Sequence, residues 1–409
     1  METLTIIYLV YAFISLYFLF LFVLVYIQNK NKISYSPKYN RLYSLSMVIP
    51  CYNEEKSIAK TIAAVLNSDY KGLKKIYVVD DCSSDNSYSI IKEFAKNHDR
   101  VVVLQTPKNT GKAAGPKNYG AKYVDTELIG FTDADSYPSK DALSKAVGFF
   151  NNEKTSGVTS LILADHGNNL LERLQVIEYK VIAFTRKLLG FLDAIYVMPG
   201  PLVIYRKSSF DAVGGFDEKN LTEDIEITWN LVSKGYKVEM SIPSKVVTIV
   251  PNKIKQWYKQ RIRWNIGGIQ TIIKYKGMFL KKGTLGNFIL PFFVFSWITG
   301  IVGICLMAYN FIRRLIVQYL SATYSIDAQT AILTLREINL TSNVLVFFGL
   351  VLFFLGLTFT IFVLVFLREK EFKNTNPFEI GVYTLIYLSV YPIIMIMSSY
   401  KFLRGKYSW

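Results

Sequence analysis

Long apolar runs at the two ends of this 409-residue chain constrain its fold more than any other feature of the sequence. Residues 5–27 form an uncharged run, and three more apolar runs cover residues 287–311, 343–367 and 378–400. Each run is long enough, at about 1.5 Å of helix per residue, to cross a hydrocarbon core of about 30 Å. The N-terminal run lacks the basic start and the small-residue cleavage site of a signal peptide. The sequence therefore predicts about four transmembrane helices.

Positive charges lie beside these apolar runs. Four of them follow the first run directly and predict that its C-terminal end faces the cytoplasm: Lys30, Lys32, Lys38 and Arg41. The formal net charge is +16, and its placement favours anionic membrane lipid as a partner and excludes nucleic acid. Four spans that begin outside would also end outside, whereas Lys401 and Arg404 favour the inside, which leaves one missed or re-entrant span open. We expect a multi-pass protein of the cell membrane.

The middle of the chain, from about residue 42 to residue 251, reads as an α/β domain. Short β-rich runs such as SLSMVIP, KKIYVVDD, RVVVLQT, ELIGFTDAD and SGVTSLIL alternate with amphipathic stretches. This alternation predicts βαβ units and a mainly parallel sheet. Ligands of such sheets bind at the carboxyl ends of the strands. The three cysteines indicate neither a disulfide framework nor a metal-ligand cluster.

Acidic residues gather where these predicted strands end. Asp80 and Asp81 end one strand, Asp133 and Asp135 end another, and the run VIPCYNEE ends a third. Unpaired carboxylates are costly to bury together, and a divalent cation relieves that cost. Hard cations such as Mg²⁺ prefer carboxylate and diphosphate oxygens. A D-x-D motif alone is typical of a solvated turn, but three acidic strand ends together predict a cation and ligand site.

Two further segments each allow two interpretations. In KNTGKAAGPKNYG, the glycines permit close backbone approach and Lys112 or Lys117 can meet phosphate, but a surface loop that starts a helix explains the letters equally well. In NLTEDIEITWNL, Thr222 is a candidate N-cap, which favours an ordinary capped helix. The alternative is that Glu223 or Asp224 projects into the site and that one of them acts as a general base.

Residues 252–282 mix apolar residues with Lys and Arg and contain the letters QRIRW. The pattern predicts a helix in the membrane interface, with a buried core helix as the alternative. Arg263 offers a planar fork of donors suited to a diphosphate, and Trp264 offers a flat apolar face suited to a sugar ring. Both residue types also serve as interfacial anchors.

These motifs, in this order, resemble those of the family 2 glycosyltransferases, which have a Rossmann-like GT-A fold. The resemblance covers about residues 45–270 and rests on DDCSSDNS, DADS, TED and QRIRW. The last is similar to the Q-x-x-R-W signature of the hyaluronan, chitin, cellulose and poly-N-acetylglucosamine synthase branch. The resemblance implies an inverting, metal-dependent hexosyltransferase with a cytoplasmic GT-A domain, interfacial helices and transmembrane helices.

The resemblance also implies roles for particular residues. Asp80 and Asp81 would bind the nucleotide of the donor, and Asp133 and Asp135 would hold Mg²⁺ or Mn²⁺ together with the donor diphosphate. Lys112, from the glycine-rich segment, is a further candidate for binding the donor. Asp224 would be the catalytic base. The acceptor and diphosphate end would use Glu223, Gln260, Arg263 and Trp264. The chain departs from many polymer synthases at Pro199-Gly200-Pro201, where a Ser-Gly turn often lies beside the acceptor sugar.

We therefore expect four parts: an N-terminal transmembrane helix at 1–29, a GT-A domain at 42–251, an interfacial helix at 252–283 and a C-terminal membrane region at 284–409. The function expected from the resemblance is processive transfer from a nucleotide-sugar, a UDP-sugar, to a growing polysaccharide, with export of the product. The alternative is transfer of one sugar to a lipid acceptor such as polyprenyl phosphate or a glycolipid. A catalytically inactive transporter or scaffold is disfavoured because all the motif carboxylates are present.

Overall fold

The computed structural model describes residues 3–165, 167, 169–281, 283–327, 344–367 and 375–405. Residues 1–2 of the expected N-terminal helix, residues 166 and 168 of the expected GT-A domain, residue 282 of the expected interfacial helix, and residues 328–343, 368–374 and 406–409 of the expected C-terminal membrane region lie outside the described residues.

Eight strands in the described residues form one sheet that carries the middle of the chain. They are β1 (Leu45–Cys51), β2 (Leu73–Asp80), β3 (Val101–Gln105), β4 (Leu128–Phe131), β5 (Ser136–Pro138), β6 (Thr155–Ala164), β7 (Val203–Arg206) and β8 (Lys237–Thr248). The spatial order is β3-β2-β1-β4-β7-β6-β8-β5. The pairs β2–β3, β1–β2, β1–β4 and β6–β8 are parallel, and the remaining three are antiparallel. The predicted α/β class and mainly parallel sheet are confirmed.

Helices cover both faces of this sheet and continue into the apolar ends. They are α1 (Thr3–Asn29), α2 (Ile58–Leu66), α3 (Ser87–Asn97), α4 (Ala114–Ala121), α5 (Ala142–Val147), α6 (Leu170–Gly190), α7 (Lys207–Ala212), α8 (Glu223–Ser233), α9 (Ile254–Tyr275), α10 (Leu290–Asp327), α11 (Val344–Phe366), α12 (Pro377–Val382) and α13 (Leu388–Leu403).

All seven residues of β1 are buried, and alternate ones belong to different cores. Val48 packs into one core, whereas Met47 and Ile49 pack into the other. A strand buried on both faces accounts for the continuous apolar run in its sequence.

Three helical segments in the described residues are long and apolar enough to cross a membrane. They are Leu9–Lys32, Leu285–Tyr324 and Pro377–Leu403, and a shorter apolar helix covers Leu350–Phe366. This set agrees with the predicted number of about four. Each of the last two long segments contains one π-helical turn, at Leu285–Ile289 and at Tyr383–Tyr387.

Helix α6 attaches two of the apolar helices to the sheet. Its side chain Phe184 is fully buried. The Phe184 ring lies 6.1 Å from that of Tyr26 on α1, and 5.7 Å and 5.4 Å from those of Phe362 and Phe366 on α11. The two Phe–Phe contacts are edge-to-face and the contact with Tyr26 is tilted, and such ring contacts add to the gain from burial. The sheet and the apolar helices therefore share a continuous core.

The linker after α1 lies against the short 3₁₀ helix Gly148–Asn151 that follows α5. Asn151 accepts a hydrogen bond from the backbone of Asn40 (3.1 Å) and donates one to the carbonyl of Lys38 (2.8 Å). A Cβ atom at Gly148 would overlap the backbone carbonyl of Pro37. The absence of a side chain at Gly148 therefore permits the linker to dock.

We expect Gly148→Ala to lower the free energy of unfolding by about 1–3 kcal/mol, because the added methyl group meets backbone that cannot rotate away. Gly277→Ala is the matched control: Gly277 also lies in a 3₁₀ helix, and nothing lies within 4 Å of its Cβ position. The measurement is the thermal unfolding midpoint of both variants in detergent. Equal midpoints would contradict the docking of the linker on Gly148.

Candidate active site

The acidic motifs meet at one edge of the sheet. Strands β1, β2 and β4 are mutually parallel neighbours, so their carboxyl ends lie side by side. Asp80 ends β2, and Asp133 follows β4 after one intervening residue. The structure thus places the predicted acidic strand ends together, at the edge where ligands of parallel sheets bind.

Asp80 and Asp81 organise the loops at the end of β2. Asp80 is fully buried and accepts hydrogen bonds from the backbone of Ser83 (3.2 Å) and the side chain of Gln105 (3.0 Å). Asp81 accepts bonds from the hydroxyl of Thr106 (2.7 Å) and from the backbone and hydroxyl of Thr110 (3.0 and 2.8 Å). Asp80 therefore ties the loop that follows β2 to the end of β3, and Asp81 shapes the loop that follows β3.

Lys112 joins that loop to the segment before α8. Its ammonium donates hydrogen bonds to the carbonyls of Glu218 (2.9 Å) and Lys219 (3.0 Å). The predicted contact of Lys112 with donor phosphate stays a prediction. Lys117, the other lysine of the same motif, occupies a different place.

The ammonium of Lys117 is buried between two carboxylate motifs. Its Nζ lies 2.9 Å from Glu223 Oε1 and 3.3 Å from Asp133 Oδ1, and the residue is only 2% exposed. Burial alone would lower the pKa of Lys117, but the carboxylates of Asp133 and Glu223 raise it above its usual value. Lys117 is therefore a fixed positive charge that holds the D-x-D and TED motifs together.

Asp135 and Glu54 form the other side of the D-x-D motif. Burial, followed by the charges of Asp133 and Glu54, raises the pKa of Asp135 to about 7. Burial also raises the pKa of Glu54, with contributions from Asp85 and Asp133. Carboxylates that disfavour each other's ionisation are the chemistry that a divalent cation relieves. Within the described ranges no three acidic, His or Cys side chains are grouped closely enough to hold a metal ion by themselves.

The Pro-Gly-Pro turn lies directly against the D-x-D motif. A Cβ atom on Gly200 would be 2.7 Å from both carboxylate oxygens of Asp133. The carbonyl of the following Pro201 accepts a hydrogen bond from Thr132 (2.6 Å). A side chain at position 200 would therefore displace the carboxylate of Asp133, and the two flanking prolines restrict the backbone of the turn.

Helix α8 begins with the TED residues at this edge. Thr222 occupies the N-cap position but forms no side-chain cap hydrogen bond, so capping does not account for the motif. Burial opposes ionisation of Glu223, but Lys117 lowers the pKa of this carboxyl below its usual value. Burial and the neighbouring charge of Glu223 raise the pKa of Asp224 to about 6. The two adjacent carboxylates are thus tuned in opposite directions.

Helix α9 packs closely on the start of α8. A Cβ atom at Gly267 would overlap the side chain of Thr222, and Gln270 accepts a hydrogen bond from the backbone of Leu221 (3.0 Å). Arg263, on the same helix, lowers the pKa of both Glu223 and Asp224 as one of the weaker contributions. The close approach therefore brings the predicted diphosphate-binding cation within electrostatic reach of the predicted base.

The remaining two residues of the QRIRW motif contact Arg261. Gln260 accepts a hydrogen bond from the Arg261 guanidinium. The guanidinium carbon lies 4.1 Å from the centre of the Trp264 ring. Trp264 and Gln260 are partly buried. One face of α9 packs against α8 and α13, whereas Ile254 and Ile273 on the same helix are exposed. Helix α9 is therefore neither fully buried nor fully exposed.

One feature of the site and one nearby cavity have no clear signal in the sequence. Arg186 on α6 is 5% exposed, and burial lowers the pKa of its guanidinium, which lies within electrostatic reach of Asp224. A cavity of about 640 Å³ opens between α4 and α7, and it is lined by neither Asp133 nor Asp224. The chemistry of the motifs, rather than the size of a cavity, identifies the candidate active site.

The sequence comparisons agree with these motifs. Residues 46–214 match the family model described as Glycosyl transferase family 2. The chain is 30% identical over 292 residues to a poly-beta-1,6-N-acetyl-D-glucosamine synthase of Staphylococcus epidermidis, covering 70% of each protein. It is 27% identical over 269 residues to the synthase of the same name from Staphylococcus aureus strain COL, covering 64% of this chain and 65% of the relative.

Among solved structures, the fold resembles that of the mannosyltransferase PcManGT from Pyrobaculum calidifontis in complex with GDP-Man and Mn²⁺. The TM-score is 0.61 at 17% sequence identity, and the match covers 97% of this chain and 99% of that one. At this identity the likeness concerns the fold alone, and it confirms the expected GT-A-like architecture. The family model matches residues 46–214, which contain all but the first residue of β1, strands β2 to β7 and the D-x-D motif. Because a relative at 30% identity also matches over 70% of its length, the chain belongs to glycosyltransferase family 2 and is a glycosyltransferase.

Proposed function

We propose that this enzyme transfers N-acetylglucosamine from a nucleotide-sugar, a UDP-sugar, to a growing polysaccharide, with its catalytic domain at the cytoplasmic face of the cell membrane. The observation that carries the proposal is the Lys117 bridge, which joins Asp133 of D-x-D to Glu223 of TED. The choice of sugar rests on the Staphylococcus relatives, which are poly-beta-1,6-N-acetyl-D-glucosamine synthases. The cytoplasmic orientation rests on the basic residues that follow α1.

We assign the role of general base to Asp224. Lys117, at 2.9 Å, keeps Glu223 ionised by lowering its pKa. Of the two adjacent carboxylates, Asp224 is therefore the one with a pKa near the working pH. A base acts most efficiently when its pKa lies close to that pH. In the proposed step, Asp224 accepts the proton of the acceptor hydroxyl as its oxygen attacks the anomeric carbon, and the nucleoside diphosphate leaves with inversion.

The donor would lie along the acidic edge of the sheet. Asp80, Asp81 and Lys112 shape the loops that would receive the nucleotide, and Arg263 would bind the diphosphate from α9. Asp133 and Asp135 would hold Mg²⁺ or Mn²⁺, which when bound supplies positive charge to the leaving diphosphate. Glu223, Gln260 and Trp264 would complete the acceptor side.

We also propose the division of the chain into a transmembrane helix at 1–29, a catalytic domain at 42–251, an interfacial helix at 252–283 and a membrane region at 284–409. Helices α1 and α10 to α13 would span or line the bilayer, with the polymer leaving along them.

The size of the product tests the proposed function. We expect purified protein with Mg²⁺ or Mn²⁺ to convert radiolabelled UDP-N-acetylglucosamine into a ladder of high-mass glycan, and EDTA to abolish the reaction. A panel of other nucleotide-sugars is the control for donor choice. A single lipid-soluble product would instead establish one-sugar transfer to a lipid acceptor. If folded protein transfers sugar from no donor, the alternative of an inactive transporter or scaffold would be supported.

Export is tested separately in sealed inverted vesicles. If the product is exported, glycan should accumulate inside the vesicles and be protected from added hexosaminidase.

Asp224→Asn should lower turnover by about 10²–10⁴-fold, because the amide cannot accept the proton of the acceptor. The thermal midpoint should not fall, because burial already disfavours the charged carboxylate. Asp193→Asn is the matched control, since Asp193 is exposed and its positive φ of 51° suits Asn. Near-full turnover in folded Asp224→Asn would refute the assignment of the base.

The pH dependence provides a second test of Asp224. Its pKa is raised to about 6, so the carboxylate is protonated and inactive as a base below that pH. We expect kcat/KM to fall by about tenfold per pH unit below the pKa and to level off above it. The measurement is kcat/KM for the sugar donor, from initial rates of glycan synthesis at saturating metal ion and at pH values above and below the pKa. A rate that stays constant well below pH 6 would contradict the prediction.

A further inference from the structure

Arg261 is a buried charge at a variable position of the Q-R-I-R-W sequence. Its side chain is fully enclosed, and its guanidinium forms an ion pair with the carboxylate of Glu178 on α6, which is 2% exposed. Arg261 Nε also lies 3.2 Å from Glu178 Oε1, so the pair has the two-pronged geometry that an Arg fork provides. The pair therefore fixes the direction of the guanidinium plane and not merely its charge.

The same guanidinium contacts two residues of the motif that flank it. It donates a hydrogen bond to the side-chain oxygen of Gln260, and its carbon lies 4.1 Å from the centre of the Trp264 ring. A guanidinium over an aromatic face is attracted to it and restricts the tilt of the ring. The orientation of Gln260 and of Trp264 is thus set by one side chain.

The last apolar segment completes the network. Tyr387, within the π-helical turn, donates a hydrogen bond to Glu178 (2.7 Å) and accepts one from the indole of Trp257 (2.7 Å). Tyr391 on α13 accepts a hydrogen bond from Arg261 Nε (2.9 Å). Single π-helical turns occur frequently at functional sites. Three separate segments, α6, α9 and the last apolar segment, therefore converge on one ion pair.

Stability alone does not account for such a pair. Well-packed apolar residues usually replace a buried ion pair without loss of stability, whereas removal of one partner leaves an uncompensated charge. Apolar side chains cannot reproduce the fork that holds Gln260 or the cation that stacks on Trp264. The ion pair therefore provides what apolar side chains cannot, a guanidinium with a fixed orientation toward Gln260 and Trp264.

We propose that Arg261 is a positioning residue that, held by Glu178 and Tyr387, orients Gln260 and Trp264 for the acceptor glycan. The inference rests on the proposed function for the identity of the acceptor. Through Tyr387 and Tyr391, the last apolar segment then contacts the ion pair that orients the acceptor end of the site.

The test compares full-length variants in lipid nanodiscs: Arg261→Met, Arg261→Lys, and the double variant Glu178→Leu with Arg261→Met. Three quantities are measured: KM for a β-1,6-linked N-acetylglucosamine pentasaccharide, Kd for UDP, and the thermal midpoint. We expect Arg261→Met to raise the acceptor KM by about tenfold or more, with Kd for UDP unchanged within about twofold. Arg261→Lys keeps the charge but loses the fork, so it should rescue the acceptor KM only in part.

The double variant separates positioning from stability. We expect it to regain the thermal midpoint that Arg261→Met loses, while its acceptor KM stays raised. Recovery of both quantities would overturn the proposal, as would an equal change in Kd for UDP. Lys259→Met is the matched control, since Lys259 is an exposed cation on the same helix, and it should leave all three quantities unchanged.

Hydrogen exchange distinguishes failure of this inference from failure of the proposed function. If the wild-type enzyme does not elongate the pentasaccharide, the proposed acceptor is wrong. Amide exchange in residues 257–266 still reports the order of the motif in that case. Faster exchange in the double variant, whose thermal midpoint is expected to be restored, than in Lys259→Met would support positioning, and equal exchange in the two would overturn it.

Discussion

The buried ammonium of Lys117 is the charge on which the site depends. It lies within 3.3 Å of Asp133 and 2.9 Å of Glu223, and it is the reason that two carboxylate motifs from distant parts of the chain can share one low-dielectric edge. Without a positive charge between them, these carboxylates would raise each other's pKa. With Lys117 in place, Glu223 is kept ionised while Asp224, its neighbour in sequence, keeps a raised pKa. One fixed cation thus makes adjacent acids chemically different.

Close backbone approach brings the remaining parts of the site to this charge. Gly200 lets the Pro-Gly-Pro turn reach Asp133, and Gly267 lets α9 rest on Thr222 at the start of α8. In both places a side chain on the glycine would overlap a motif residue. Because neither glycine carries a side chain, the turn contacts the end of the D-x-D strand and α9 contacts the start of α8. This packing explains how cations on α9 influence carboxylates on α8.

The sequence predicted what depends on local pattern and left open what depends on tertiary contact. Strands β1 to β4 and β6 were predicted because each contains a short β-rich run between amphipathic stretches, whereas β5, β7 and β8 were not identified. The acidic strand ends were found because parallel strands align their carboxyl ends. Lys112 and Lys117 could not be distinguished, because only the fold shows which lysine is buried between carboxylates. Arg261 was passed over because a variable motif position gives no indication of its partner on α6.

Helix α6 explains why the enzyme domain and the apolar helices form one unit. Its sequence mixes charges with apolar residues and fits neither a membrane span nor a surface helix. In the fold, each of the charges discussed has a specific buried environment: Glu178 pairs with Arg261, and Lys187 donates a hydrogen bond to the carbonyl of Met240 (2.8 Å). Phe184, on the same helix, packs against α1 and α11. One helix thus contacts the sheet, the QRIRW helix and the apolar segments, and Glu178 and Arg261 connect it to Gln260 and Trp264.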